Sequence, residues 1–227
     1  MARTLDGTAR ALSRDAILDV AEQLIRTKGY ERMSIQDVQD TLGVSRGAIY
    51  HYFRSKAALL EAVVERMAEA IMAILTPIAD DPDLPATVKL QGVFTAAGTW
   101  KAERKELMVA LLEAWYSDHN VIVREHVRRA ASLRLAPLLA GVVRQGKAEG
   151  TFTAGSPEHA AGILVALLVI SGDTTSQLFL DRLAGRVRYE DVERAVAAYD
   201  EAVERILGLP AGSFQMIDEP SLRFWFA

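Results

Sequence analysis

No cysteine occurs among the 227 residues, which excludes disulfides and thiolate metal sites. No apolar run is long enough to span a bilayer; the most apolar, Gly162 to Ile170 (GILVALLVI), has about half the required length. The opening residues, Met1 to Gly7, lack the apolar core of a secretory leader. A soluble, cytoplasmic protein with no membrane partner is expected. Internal repeats, low-complexity tracts and alternating strand patterns are all missing. So are a nucleophile elbow, a phosphate-cradling Gly-rich loop and a cluster of metal ligands, and no catalytic residue, cofactor or metal is assigned. Net positive charge is absent too. The total of −4, taken whole, argues against a partner as acidic as nucleic acid. Divided along the chain it says something different. Residues 1–60 hold 9 Lys and Arg against 7 Asp and Glu, a net of +2, and residues 61–227 hold 17 against 23, a net of −6.

What is present is helical period. The chain is 50% hydrophobic and 25% charged, ordinary for a soluble globular protein. Nearly every long segment repeats apolar residues at spacings of three and four. An all-α fold of about nine helices is expected. Ser13 caps a helix over about 14–28, in which Ile17, Val20, Ala21, Leu24 and Ile25 share one face. Ser34 opens a short helix over about 34–41, with Asp37 three residues on completing a capping box. Ser45 caps a third short helix over about 45–53, and a long fourth covers about 56–75. Thr76-Pro77 and the acidic loop Asp80 to Pro85 are expected to stop it. Helices follow at about 86–101, 104–117 and 120–146, with Pro137 a kink or a break in the last. Ser156-Pro157-Glu158 joins a cap, a proline at the first helical position and an acid at the positive dipole end, starting a helix to about Leu183. A last helix covers about 190–207.

Two short helices joined by Leu42-Gly43-Val44, with a third in front, describe a helix-turn-helix unit. A helix of about two turns suits the major groove end-on. Within Ser45 to Phe53, Ile49 and Phe53 are four apart and pack inward with Val38 and Leu42, leaving Arg46, Gly47, Tyr50 and His51 on other faces. The run LGVSRGAIYHYF over residues 42–53, then Ser55-Lys56 and Leu59-Leu60, resembles the DNA-binding region of the TetR family of bacterial transcriptional regulators. Looser likenesses lie in Gln145-Gly146 to Phe152, in Pro157 to Ala161 and in Glu204 to Pro210.

The resemblance implies a DNA-binding domain over 1–56 and a regulatory and dimerisation domain over 57–227, linked by the long helix at about 56–75. It implies roles residue by residue. Ser34 contacts phosphate, or is a plain cap, or both. Gln36 touches a base or the backbone, and Ser45 belongs to the same surface. Arg46 is the candidate base reader, since its guanidinium grips guanine through two hydrogen bonds; its other role is a phosphate contact or solvated charge. Gly47 and Ala48 are small enough for close approach. Tyr50, His51 and Tyr52 form a phosphate-contacting group, and Lys56 is a phosphate anchor. Arg3, Arg10 and Arg14 form a basic arm or serve only solubility. Phosphate contacts position, and base contacts specify.

The stretch after Pro157 is apolar nearly all round and must be covered on more than one face. Pairing of two copies through the helices at about 157–183 and 190–207 is expected. Two-fold symmetry then sets two reading helices on a pseudo-palindromic operator. Phe94, Trp100, Met108, Leu111, Trp115 and His126 are candidates to line a site for a small, largely apolar effector, or else are ordinary core and surface. His119 and His126 are seven apart with no third ligand beside them. The aromatic tail Leu222 to Phe226 is expected to dock on its own domain or on a partner copy. The function expected is a homodimeric repressor released from DNA by a ligand. The rival is a helical enzyme or carrier for an apolar small molecule.

Overall fold

Ser13 and Ser34 start the chain's first two helices as their sequences require. Each hydroxyl accepts a backbone N–H three residues on, from Ala16 at 3.1 Å and from Asp37 at 3.2 Å. The computed structural model describes residues 13–227, so Arg3 and Arg10 lie outside the described residues. Among these the elements are α1 (Arg14–Lys28), α2 (Ile35–Leu42), α3 (Arg46–Tyr52), α4 (Lys56–Asp80), α5 (Ala86–Ala102), α6 (Lys105–Tyr116), a 3-10 turn (Asp118–Asn120), α7 (Val121–Ala148), α8 (Pro157–Leu183), α9 (Tyr189–Leu207) and α10 (Glu219–Phe226). The fold is all-α, with ten helices among the described residues.

One proline departs from expectation, and a second does not break its helix. Helix α4 runs through Pro77 to Asp80, and α7 runs through Pro137 to Ala148. Proline removes the hydrogen bond to the carbonyl four residues earlier. Pro77 and Pro137, and the residues four before them, Ala73 and Leu133, are all exposed. The released carbonyl therefore sits on the watery side of each helix. The buried side stays regular, and Leu75, Ala79, Leu139 and Ala140 hold it to the core.

The described residues divide into two units, 13–66 with Glu106–Arg124, and Met67–Lys105 with Glu125–Ala227. The first passes the residue-56 boundary by ten residues along α4. Its core holds Ile17, Leu18, Ala21 and Ile25 of α1, Val38 of α2, Ile49 of α3 and Leu59, Leu60 and Val63 of α4, each at most 1% exposed. Burying each of the Ile, Leu and Val side chains among them contributes about 1.5–3 kcal/mol. Arg66 ties α4 to α1 through Asp19 at 2.7 Å and Glu22 at 2.5 Å. Tyr30 donates to the buried Asn120 at 3.4 Å, whose amide donates to the Ala114 carbonyl.

The second unit has its core among Leu75, Leu90, Phe94, Leu139, Val143, Phe152, Leu164 and Leu207. Gly146 is needed there, since a Cβ would lie 2.2 Å from the Phe152 ring. Ser156 caps α8 with Pro157 in its first turn, as expected. Helix α8 as a whole is long and apolar enough to cross a membrane, which its nine-residue run did not suggest. It packs along α9, with Leu164, Val165, Ser171 and Phe179 buried. The aromatic tail forms α10 and docks on its own unit against α5, α8 and α9. Phe226 is buried edge-on to Phe179, and the Lys105 ammonium lies 4.3 Å over the Phe224 ring while donating to its carbonyl.

Candidate DNA-binding site

The turn between α2 and α3 depends on Gly43, whose φ of +67 and ψ of +30 lie in the left-handed region that costs a residue with a Cβ roughly 1–2 kcal/mol. Its N–H closes α2 on the Gln39 carbonyl. The chain then reverses into α3 with Ile49 fully buried and Phe53 4% exposed, facing the buried Val38 of α2 in one core. Leu42 is half-buried. Ser45, Arg46, Gly47, Tyr50, His51 and Tyr52 are exposed, and Ala48 is half-buried. The structure thus brings the expected reading residues onto the outer side of α3.

Geometry sorts them further. Ser45 stands at the N-cap position but its side chain makes no cap hydrogen bond, unlike Ser13 and Ser34. Among the described residues a Cβ on Gly47 would meet nothing within 4 Å, so packing against them does not demand glycine there. Arg46 donates to the Tyr50 hydroxyl at 3.3 Å, with its guanidinium 5.1 Å from the ring centroid. His51 and Tyr52 meet edge-to-face at 5.3 Å.

At α2 the capping box is closed on both sides. The Ser34 N–H and hydroxyl each donate to Asp37 Oδ2 at 2.7 Å, and Lys28 pairs with Asp37 Oδ1 at 2.5 Å. Lys28, and then Ser34, hold the Asp37 carboxyl well below the usual range, at about 2. Gln36 is exposed and donates to Asp40 at 2.8 Å. Lys56 is half-buried: its ammonium lies 4.2 Å over the Tyr30 ring and donates to the Glu31 carbonyl at 3.0 Å, and burial lowers its pKa.

Two cations bear on this surface. Arg14 lies 5.7 Å over the Phe53 ring, which puts the start of α1 beside the end of α3. Arg54, passed over in the sequence, stands exposed in the turn between α3 and α4. Its signal was its place between the inward Phe53 and the Ser55 cap. In α2 a buried polar group is left over: Gln39 Nε2 has no hydrogen-bond partner among the described residues.

The effector candidates are divided between the two units. Phe94, Trp100 and His126 belong to the second unit, Met108, Leu111 and Trp115 to the first. Phe94 is buried edge-to-face on Phe214 at 5.0 Å, and Trp100 is buried beneath the Arg104 guanidinium at 4.4 Å. Leu111 is buried, Met108 and Trp115 are half-buried, and His126 is exposed.

A helical unit of this kind, with an inward apolar side and an outward side of Arg, Tyr and His on its second short helix, defines a helix-turn-helix protein. Residues 17–63 match the model of the tetR family of bacterial regulatory proteins. The transcriptional repressor KstR2 of Mycolicibacterium smegmatis is 29% identical over 87 residues, 38% of this chain and 42% of that protein. The transcriptional regulator TtgR of Pseudomonas putida is 35% identical over 57 residues, 25% of this chain and 27% of that protein. The chain therefore matches less than half the length of these relatives. Among solved structures, SmeT, the repressor of the Stenotrophomonas maltophilia multidrug efflux pump SmeDEF, is similar with a TM-score of 0.62 at 21% identity, covering 91% of this chain and 95% of that one. That likeness carries the fold over nearly the whole chain.

Proposed function

We propose that the chain is a sequence-specific DNA-binding transcriptional repressor, working in the cytoplasm as a homodimer and released from its operator by a small, largely apolar ligand. The observation that carries the reading is the division of α3, with Ile49 buried and Arg46, Gly47, Tyr50, His51 and Tyr52 exposed. A cation, hydroxyls and a ring nitrogen on one short helix match the acceptors of base edges and phosphates. Arg46 reads a base. Gln36, Ser45, Tyr50, His51 and Tyr52 engage the backbone around it, while Gly47 and Ala48 permit close approach; Ser34 joins them only by giving up its hydrogen bond to Asp37, and Lys56 only with the ammonium hydrogens that the Glu31 carbonyl leaves. Open space around a Gly47 Cβ among the described residues leaves room for such an approach.

Pairing is supported by α8. Only 22% of its most apolar 18-residue window is buried within one copy, and Ile163 and Ile170 are 51% and 53% exposed. A second copy covering this face with α8 and α9 buries what one chain leaves open. It also sets two reading helices about 34–36 Å apart, one turn of DNA. KstR2 and SmeT are named repressors, and SmeT is known in complex with triclosan. Release follows if ligand favours an arrangement of the paired heads that no longer spans successive grooves. A hundredfold loss of operator affinity needs only about 2.8 kcal/mol of coupling.

Selection from a random-sequence duplex library tests the reading. The protein should enrich a two-fold repeated site and bind it with a salt-dependent affinity. Enrichment of no sequence, or of a single half-site by a monomer, would overturn it.

A further inference from the structure

We propose that Tyr50 is a positioning residue for Arg46, and that the two side chains form one base-reading unit in which the tyrosine fixes where the guanidinium points. The inference rests on the DNA-binding reading above and gives Tyr50 a role beyond a phosphate contact. Arg46 and Tyr50 are four residues apart on α3 and so stand over one another on one side of the helix. They meet twice. The guanidinium lies 5.1 Å from the centroid of the ring, and Nη2 donates to the hydroxyl at 3.3 Å. Both residues are exposed, so the pairing forms in water on the surface offered to DNA.

The choice of partner matters chemically. Among the described residues Arg46 pairs with no carboxylate, although Asp37 and Asp40 take Lys28 and Gln36 nearby in the sequence. A carboxylate would hold the guanidinium and also cancel its charge. A tyrosine ring holds it and leaves the charge for DNA. The hydrogen bond engages one end of the planar fork and leaves its other N–H groups to meet the two acceptors of a guanine. It also has a direction: the hydroxyl oxygen accepts from Arg46, so its own proton is left to donate outward to a phosphate or base oxygen. A long flexible cation is thereby pre-set before DNA arrives, and the ordering that binding would otherwise impose on it is already done.

Two measurements on the intact chain test this. In the free protein, the ring should displace the proton resonances of the Arg46 side chain in the NMR spectrum. Tyr50→Phe should keep that displacement and Tyr50→Leu should abolish it, with helical circular dichroism unchanged in both. On DNA, the probe is the site that the unsubstituted protein selects from a random duplex library, together with its single-base variants. Arg46→Ala should lose about tenfold or more of the discrimination at one base pair in each half-site. Tyr50→Leu should lose discrimination at the same base pair, Tyr50→Phe should keep most of it, and Arg46→Ala with Tyr50→Leu should lose no more than Arg46→Ala alone. The proposal is overturned if Tyr50→Leu weakens every sequence equally, if the two substitutions affect different base pairs, or if their losses multiply. Failure of the unsubstituted protein to enrich any sequence would overturn the DNA-binding reading and this one together. A uniform loss at Tyr50 with specificity intact at Arg46 overturns this one alone.

Discussion

Helices α3 and α8 each leave one side uncovered, and the chemistry of the two sides is opposite. On α3 the open side carries Arg46, Tyr50, His51 and Tyr52; on α8 it carries Ile163, Ala166 and Ile170. Both helices anchor to a core on the other side, through Ile49 in one case and Leu164 and Val165 in the other. Open sides rich in donors suit a partner that stays wet, such as the DNA surface. An open side of branched aliphatics suits a dry partner of the same kind, which a second copy of α8 supplies. The proposed interfaces lie on different helices, so each can be broken without touching the other.

The largest effect is expected at α8. Ile170→Glu places a charge on the dry face, and the protein should sediment as a monomer. Operator affinity should fall by about 100-fold or more, since the second head no longer binds at the effective concentration set by the first. A monomeric variant that held DNA as tightly as before would dissolve the link between the two sides. Next comes Arg46→Ala, which should remove roughly 1–3 kcal/mol of discrimination against a wrong base and leave sedimentation unchanged. Gly47→Leu sharpens the contrast between folding and binding. A side chain there meets open space among the described residues and replaces a poor helix former, so thermal stability should hold or rise by up to about 1 kcal/mol. DNA affinity should nonetheless drop about tenfold in a titration, the clash being with the groove. A protein that both folds and binds normally would contradict the assignment of α3.

The smallest effect is one of pH. Asp37 has its folded pKa lowered to about 2 by Lys28 and Ser34, beneath the ordinary aspartate value of about 3.9. A depressed carboxylate contributes stability that is present above the unfolded value and is lost as pH falls through the folded one. The first unit should therefore weaken between about pH 4 and pH 2. Asp37→Asn should be less stable at neutral pH and lose less across that window, as followed by acid titration of the helical signal. An unchanged acid profile would show that the Lys28–Asp37–Ser34 cluster does not tie α1 to α2.

Much of this was legible in the chain itself, for reasons particular residues make plain. The capping pair Ser34 and Asp37, and the start at Ser156-Pro157-Glu158, are local hydrogen-bond chemistry, readable wherever the right residues stand three apart. The inward and outward sides of α3 follow from the four-residue spacing of Ile49 and Phe53. What depends on surroundings was not legible. Whether Pro77 and Pro137 break a helix turns on which side of it faces water, and periodicity alone did not settle that. Asp218 and Pro220 carry the signature of a helix start, but the aromatic residues that follow mask it in sequence; the helix is α10. Lys56 looks like a free anchor in sequence, but Tyr30 and the Glu31 carbonyl, brought to it by folding, already hold its ammonium. Ser34, likewise, spends its hydroxyl proton on Asp37. The effector candidates share bulk, and bulk also builds cores, as Phe94 on Phe214 does.

The net charge that argued against DNA belongs mainly to residues 61–227, while the reading helix carries Arg46 and His51 and no acid. The central claim is that two copies read DNA through paired α3 helices. Hydroxyl-radical footprinting of the protein on its library-selected site tests it most directly. The account predicts two protected patches on one face of the duplex, about 34–36 Å apart, both lost in Ile170→Glu. A single protected patch, or protection that does not depend on sequence, would contradict it.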